Sequence, residues 1–474
     1  MPGRKSEFQR LVDAGQPTGE VTAVRRFMVQ VTGLETAAAG AVVMFENGEH
    51  GWVRTVKDGI ATVLTLTNEG VPIGLLVTIK TDELVVPVGK KLLGRTLNPL
   101  MHPLDHKGAI LTQSVRPVFT TAPGFAERAM LDTQLETGVT IVDTLFPIVL
   151  GQRIAVMGDA KSGKTTFLLQ LTINQAKLGR IIVLVLIAKR HTDVEQLIAR
   201  LEAAGVRDKV ILIVANIFDS IPLQYIAPYA GAAVAEELWF GGEDVVILYD
   251  DLSSHAKAYR EISLLTGTSP GRESFPGDMF FAHSSLLERA GKLKSNGKTL
   301  SALPVGVTPN DDITGYLSTS LISMTDGQIV FDLATMHKGT RPAVNVGLSV
   351  SRVGGRAQAR DHKALASEVS KVLARSRQAE QFSHFGTELS SEMKADFYIS
   401  MLLKTLFNQE VDDLFTVYEQ QVMIHAAFLS KDHPDFSVNW IKTIIHDVYN
   451  TGKQDMEPKK LAQQIMASNP SVKS

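Results

Sequence analysis

One short string constrains this chain more than anything else in it: Gly158-Asp159-Ala160-Lys161-Ser162-Gly163-Lys164-Thr165. It fits G-x-x-x-x-G-K-[ST] at every fixed position. It follows the apolar run Arg153 to Met157 and opens the helical pattern Lys164 to Ala176, which is the context the motif requires. In such a loop the glycines let backbone N–H groups close around phosphate oxygens, and the positive end of the helix adds to them. Lys164 is placed to reach the β- and γ-phosphates, and the Thr165 hydroxyl to ligate Mg²⁺. A chance match to a tight strand-to-helix turn is the competing reading, and the flanking strand and helix argue against it.

The rest of the chain divides by pattern. Residues 20–88 carry short β-rich runs, Phe27 to Val31, Ala41 to Phe45, Ile60 to Leu64 and Leu75 to Ile79, with turns at Glu46-Asn47-Gly48 and Asp58-Gly59. Their spacing predicts a small barrel or sandwich. Over 89–356 apolar strands alternate with amphipathic helices, which predicts a mainly parallel sheet. The strands are Arg153 to Met157, Ile181 to Ile187, Val210 to Ala215 and Val245 to Tyr249. The helices are Lys164 to Ala176, Asp193 to Ala204 and Ser253 to Leu265. In 357–474 only helical patterns remain, at Ala357 to Phe382, Ser391 to Asn408 and Thr416 to Leu429, with Pro434 and Pro458 as breaks. The expected fold is therefore multidomain: a short segment at 1–19, an N-terminal β-barrel, a central α/β P-loop (RecA-like) domain and a C-terminal α-helical domain.

Composition excludes several classes. A formal net charge of -2 gives no electrostatic reason for a nucleic-acid partner. With no cysteine, disulfides and thiolate metal sites are out. The 12 histidines show no metal-ligand spacing; His102 and His106 fall in a proline-containing loop and read as structural or solvated. The segment Met1 to Ala14 has no signal-peptide apolar block, and the longest apolar runs, Ile181 to Ala188 and Ala38 to Phe45, fall far short of the ~20 residues of a membrane helix. No direct membrane insertion is expected.

Val245 to Asp251 is an apolar strand ending in two carboxylates. Downstream of a P-loop, an Asp at this place orients Mg²⁺ through its water shell, which selects Asp250. Asp251, just before a helix, reads equally as an N-cap.

At this point the chain resembles a known family. Tyr249-Asp250-Asp251-Leu252-Ser253, Pro270-Gly271-Arg272-Glu273-Ser274-Phe275-Pro276-Gly277-Asp278 and Leu286-Leu287-Glu288-Arg289-Ala290 are similar to the alpha subunit of the F-type ATP synthase. So are Asp326-Gly327-Gln328-Ile329, Gly339 to Gly347 and Leu348-Ser349-Val350-Ser351-Arg352-Val353-Gly354. Leu93-Gly94-Arg95 with Pro103-Leu104-Asp105, and Thr137-Gly138 with Val142-Asp143, fit the same pattern. The resemblance covers about residues 20 to 450.

What it implies is specific. Alpha alternates with catalytic beta subunits in an alpha3-beta3 ring around a central-stalk gamma subunit, held by a peripheral, delta-type stalk subunit. The ring is the soluble head of an enzyme that makes ATP from ADP and phosphate with a transmembrane proton gradient. It lies peripherally on the cytoplasmic face of a bacterial plasma membrane, or on the matrix or stromal face of an organelle membrane. Alpha binds Mg-ATP or ADP without turning it over. Arg352 matches the family's arginine finger, which reaches the adjacent beta site, with Ser349 beside it. Arg341 and Pro342 match the adenine-pocket pair; alone they would read as a turn and a surface cation. A guanidinium suits the finger role because it is planar, permanently charged and able to grip two phosphate oxygens.

Catalytic relatives carry a Glu at the end of the strand after the P-loop helix. Here that strand ends Ile187-Ala188-Lys189-Arg190, and Ala188 has no group to orient water. Thr192 and Glu195 have capping-box spacing, and Asp193 falls in the first helical turn, so neither acid is expected to substitute. The chain also departs from its family: alpha subunits usually have Gln where Ala188 stands, and Arg-Gln-Thr where Ala160-Lys161-Ser162 stands. Lys161 could add a phosphate contact or face solvent. The segment before the barrel is short, with Glu7 to Ala14 as its helix, and the C-terminus is abbreviated, so a different stalk attachment is expected. A self-sufficient export ATPase would need the missing Glu. An RNA-translocating hexamer would want more barrel aromatics than Phe27, Phe45 and Trp52. An alpha-like paralogue in another rotary or export motor is the remaining alternative.

Overall fold

The computed structural model describes residues 6–383, 391–432, 436–450 and 456–468. The expected barrel, α/β nucleotide-binding domain and C-terminal helices are all present. Contacts divide the chain into two compact units: Met1–Ala129 with Arg180–Gly306 and Thr314–Met324, and Met130–Gly179 with Val307–Ile313 and Thr325–Ser474.

The first unit begins with a closed barrel of six strands: β1 (Thr18–Arg25), β2 (Met28–Thr32), β3 (Val42–Phe45), β4 (His50–Lys57), β5 (Ile60–Thr65) and β6 (Leu76–Thr81), in the order β1-β2-β5-β4-β3-β6. Two of them, β1 and β4, were not among the runs predicted above. Along β1 exposed and buried residues alternate, with Glu20 and Thr22 outside and Val21 at 0% exposure inside. Pairing of β1 with β6 closes the sheet and removes its edges. Val29, Val43, Phe45, Val63 and Val77 fill the interior.

The same unit holds five parallel strands in the order Thr299–Val307, Val245–Asp250, Ile181–Lys189, Val210–Asn216, Thr96–Leu97. The middle strands are buried nearly throughout, which is why they read as unbroken apolar runs. Helix Ile221–Phe240 packs on them and was not predicted. It is apolar on every side and carries Pro228, so it shows no amphipathic period. Gly231 in this helix has no room for a side chain: a Cβ would stand 2.3 Å from Val185 Cγ2.

In the second unit, Ala155–Gly158 and Gly327–Phe331 run parallel, and Val350–Ser351 pairs antiparallel with the latter. The P-loop helix is Lys164–Lys177. Helices Arg360–Ser383, Ser391–Phe407, Val417–Leu429, Val438–Asn450 and Pro458–Ser468 follow. Thr416 and Glu419 form a reciprocal capping box on the third of these. Pro458 opens a helix as its first residue rather than breaking one, since the first turn needs no N–H from it. The break expected at Pro434 lies outside the described residues. Among the described residues no helix is long and apolar enough to cross a membrane.

Asp143 ties the loop before helix Thr140–Leu145 to the C-terminal helices. Its carboxylate accepts from Thr137 N and Oγ1, both at 2.8 Å, from Gly138 N at 2.9 Å and from Gln420 Nε2 at 2.9 Å. Burial pushes this carboxyl up to about 7 against those four donors.

Asp105 is the opposite case. Arg95 grips it through Nε at 2.6 Å and Nη2 at 2.9 Å, and the N–H groups of Thr96 and Lys107 donate to it at 3.1 Å each. The guanidinium holds this carboxyl well below the usual range. A depressed folded-state pKa stabilises the fold above the unfolded value of ~4 and loses that stability as pH falls through the folded value. Asp105→Asn is therefore expected to cost about 1–3 kcal/mol at neutral pH. It should also flatten the decline in melting temperature below pH ~4, read by circular dichroism at a series of pH values.

Candidate nucleotide site

The loop Gly158 to Gly163 is shaped by contacts within the second unit. A Cβ on Gly158, whose φ is 155°, would stand 2.6 Å from both Phe331 O and Ser162 Oγ, so only glycine fits. Thr308 N donates to Gly158 O at 3.1 Å. The Asp159 carboxylate accepts from Ala160 N at 2.6 Å and from Asn310 N at 2.7 Å, holding the loop from both sides. Gly163 is the N-cap of helix Lys164–Lys177 and no side chain caps that end, so first-turn N–H groups lack a side-chain acceptor. The Lys164 ammonium curls back to donate to Gly158 O at 2.8 Å and Asp159 O at 2.6 Å. Thr165 is exposed in the first turn. Lys161 is exposed, in the left-handed region at φ 62°. The Ser162 hydroxyl is buried with no hydrogen-bond partner.

A cavity of about 160 Å³ opens beside this loop, lined by Ser162, Gly163, Thr166 and Gln170 on one side and by Met336, Arg341, Pro342, Ala343, Gln409, Glu410 and Val411 on the other. The predicted loop and the predicted Arg341–Pro342 pair therefore meet at one pocket. Arg341 is held through its backbone: its N–H donates to Asn408 Oδ1 at 2.7 Å and its carbonyl accepts from Gln409 N at 2.7 Å. The Gln409 side chain is 3% exposed. Its Oε1 accepts from Thr140 N at 2.6 Å, and its Nε2 donates to Gly138 O at 3.1 Å and Asp413 O at 2.7 Å.

Ser349 and Arg352 lie on the segment around Val350–Ser351. The Ser349 hydroxyl is 4% exposed as a residue and engaged by backbone, donating to Asn345 O at 2.7 Å and accepting from Val330 N at 3.0 Å. It orders the strand end. Arg352 is exposed, with N donating to Asp326 O at 3.0 Å and Nη1 to Thr325 O at 2.7 Å. Asp326 is itself clamped by Arg153 at 3.0 Å, so the base of Arg352 stands on a fixed ion pair.

In the first unit, strand Ile181–Lys189 ends in a bulge. Its pairing with Val210–Asn216 runs regularly to Ile187↔Ala215 and then skips to Lys189↔Asn216, with Ala188 at φ 55°. Lys189 Nζ lies 2.7 Å from Asp250 Oδ1 and 3.7 Å from Asp251 Oδ2. Burial works against the ammonium, but the two carboxylates outweigh it and hold Lys189 above the ordinary lysine value. Asp251 is the N-cap of helix Leu252–Leu265, its Oδ1 accepting from Ser254 N at 2.6 Å, as its position suggested. Asp250 and Thr165 each carry hard oxygen donors of the kind Mg²⁺ takes.

The helix after Ala188 begins earlier than predicted. It spans His191–Ala203 with Arg190 as N-cap, so the Thr192–Glu195 capping box does not form. Glu195 instead pairs with His191 one turn back at 3.3 Å, and Asp193 with Arg190 at 2.9 Å. Side-chain partners four and three residues away outcompeted the cap. The two acids are 63% and 41% exposed, directed along the helix surface.

Comparison with known proteins decides the family. The model of the ATP synthase alpha/beta family nucleotide-binding domain matches residues 138–351, which include the loop, Arg341 and the strand end at Asp250. The chain is 36% identical to the ATP synthase subunit alpha of Clostridium acetobutylicum over 459 residues, 94% of this chain and 91% of that protein. It is 39% identical to the alpha subunits of Pediococcus pentosaceus (87% of this chain, 82% of that one) and Neorickettsia sennetsu (86% and 82%). The chain belongs to the ATP synthase alpha subunit family. Like its relatives it carries that family's nucleotide-binding domain, and the closed barrel and C-terminal helices complete the expected architecture.

Sequence reasoning missed the pocket residues Gln170, Met336, Gln409 and Glu410, and the pairing of Lys189. Gln170 lies on the P-loop helix itself, while Met336 comes from helix Leu333–His337 and Gln409 and Glu410 from the segment after helix Ser391–Phe407, and no local spacing marks them. Lys189 carried one readable signal, a cation at the end of an otherwise apolar strand. Because Gln409 joins Thr140 and Gly138 to the pocket wall, Gln409→Ala should destabilise the protein by about 1–3 kcal/mol through the buried backbone groups it strands. Urea denaturation should show this as a lowered midpoint with little change in slope.

Proposed function

We propose that this chain is the non-catalytic alpha subunit of the soluble head of a rotary ATP synthase, which makes ATP from ADP and phosphate with a transmembrane proton gradient. Its domains are read as a segment over 1–19, a barrel over 20–88, a nucleotide-binding domain over 89–356 and a helical domain over 357–474. It holds Mg-ATP or ADP at the 158–165 loop, with the base in the pocket beside Arg341 and Pro342, and Thr165 and Asp250 serving the ion. The observation that carries the non-catalytic reading is the end of strand Ile181–Lys189. The base position is Ala188, the next residue is a cation, and the nearby acids Asp193 and Glu195 are exposed and paired with their own helix. Loss of a general base typically costs 10²–10⁴-fold in rate.

The arginine-finger role of Arg352 is supported by its exposure and by the backbone and Asp326–Arg153 contacts that hold its base. Its target is the adjacent beta subunit, where a guanidinium stabilises charge developing on the γ-phosphate. The proposed assembly is an alternating alpha3-beta3 ring around a gamma subunit, with a delta-type peripheral stalk, on the cytoplasmic face of an energy-transducing membrane. Co-expressed with a beta partner, the wild-type chain is expected to form a ring with ATPase activity. Arg352→Ala should lower that activity by ~10³–10⁵-fold while ATP binding at 158–165 persists. A fully active Arg352→Ala ring would remove the cross-interface role. Lys164→Ala should do the reverse at this chain's own site, abolishing ATP binding by the isolated subunit in equilibrium dialysis.

A further inference from the structure

We propose that the base end of this chain's nucleotide site selects purines as a class rather than adenine alone, and takes guanine nucleotides as well as adenine ones, with Glu410 as the acceptor that favours guanine. The inference rests on the proposed reading of 158–165 as a triphosphate loop with the base in the cavity beside Arg341 and Pro342. It goes further by assigning what that cavity recognises.

Its first support is the Gln409 amide, which lines the cavity. An amide reads adenine through two bonds at once, one given and one taken. Gln409 has no such pair to offer. Both of its N–H donors are committed, to Gly138 O at 3.1 Å and Asp413 O at 2.7 Å, and its oxygen accepts from Thr140 N at 2.6 Å. Turning the side chain toward a base would strand those three main-chain partners, in a place where the residue is only 3% exposed. Gln409 therefore shapes the cavity without reading what fills it.

Its second support is the chemistry of the remaining walls. Met336, Pro342, Ala343 and Val411 are apolar, and such surface holds a flat ring while discriminating weakly between bases that differ only in their edge groups. Gln170 is buried and donates to Glu410 O at 3.0 Å, which leaves it an amide edge with one donor and one acceptor. Adenine offers an acceptor beside a donor at N1 and N6. Guanine offers the same two in reverse at N1 and O6, so that edge suits either base. Glu410 lines the same cavity and is exposed. Its carboxylate only accepts, and guanine brings it two adjacent donors, N1–H and the 2-amino group, where adenine has a bare N1 and C2–H.

The test measures displacement of the fluorescent probe trinitrophenyl-ATP from the isolated full-length chain by ATP, GTP and CTP at saturating Mg²⁺. GTP is expected to displace the probe at a concentration within about tenfold of that for ATP. CTP, with one ring where the purines have two, should bind several-fold more weakly than either. Glu410→Gln exchanges an exposed side chain and should weaken GTP by about three- to tenfold while ATP stays within about twofold. Equal losses of both purines in that variant would overturn the assignment to Glu410. A wild-type preference for ATP over GTP greater than about tenfold, or CTP binding as tightly as the purines, overturns the inference and leaves the triphosphate loop standing. Failure of the wild-type chain to bind the probe more tightly than Lys164→Ala overturns the nucleotide reading itself.

Discussion

The phosphate loop depends on a contact too close for any side chain. Gly158 lies in register with Phe331 on the parallel neighbour strand, and a Cβ there would meet Phe331 O and Ser162 Oγ at 2.6 Å. That approach lets the chain turn sharply from a buried strand into a helix whose first N–H groups lack a side-chain cap. The remaining loop contacts follow from it. Thr308 N anchors the turn, Asp159 braces both flanks, and Lys164 folds its ammonium onto the carbonyls of Gly158 and Asp159. Those carbonyls give the buried ammonium its hydrogen bonds.

A second strand end supplies the contrast. Ile181–Lys189 is as buried as Ala155–Gly158 over most of its length, yet it finishes in a bulge that presents a methyl group and then an ammonium. A carboxylate at that point could orient a water molecule. A lysine paired with Asp250 cannot, because its proton is held by two acids that raise its affinity for it. The proposed division of labour, nucleotide held here and chemistry performed next door, rests on these two strand ends: a glycine turn suited to phosphate, and a bulge that offers no carboxylate.

Much of this was legible because the relevant signals are local. Strand, glycine loop and helix start fall close together in the chain, and buried parallel strands show as unbroken Val, Ile and Leu. Arg352 and Arg341 were legible only through the family strings around them, since an isolated arginine in a polar segment carries no spacing signal. Helix Ile221–Phe240 was illegible for a physical reason: buried on all sides, it has no polar face to set a period. The helix at His191 misled because a capping-box spacing competes with side-chain pairs three and four residues apart, and here those pairs won. Pocket residues such as Gln409 come from far downstream of the loop, hydrogen-bonding Gly138 and Thr140, so only folding reveals them.

The most direct test of the central claim is the fate of ATP on the chain alone. The purified full-length protein, incubated with Mg²⁺ and γ-³²P-labelled ATP and then acid-quenched, should yield bound nucleotide recovered as intact ATP with only a trace of free phosphate. Steady release of phosphate through many turnovers, abolished by Lys164→Ala, would contradict the account. The site would then be catalytic despite Ala188.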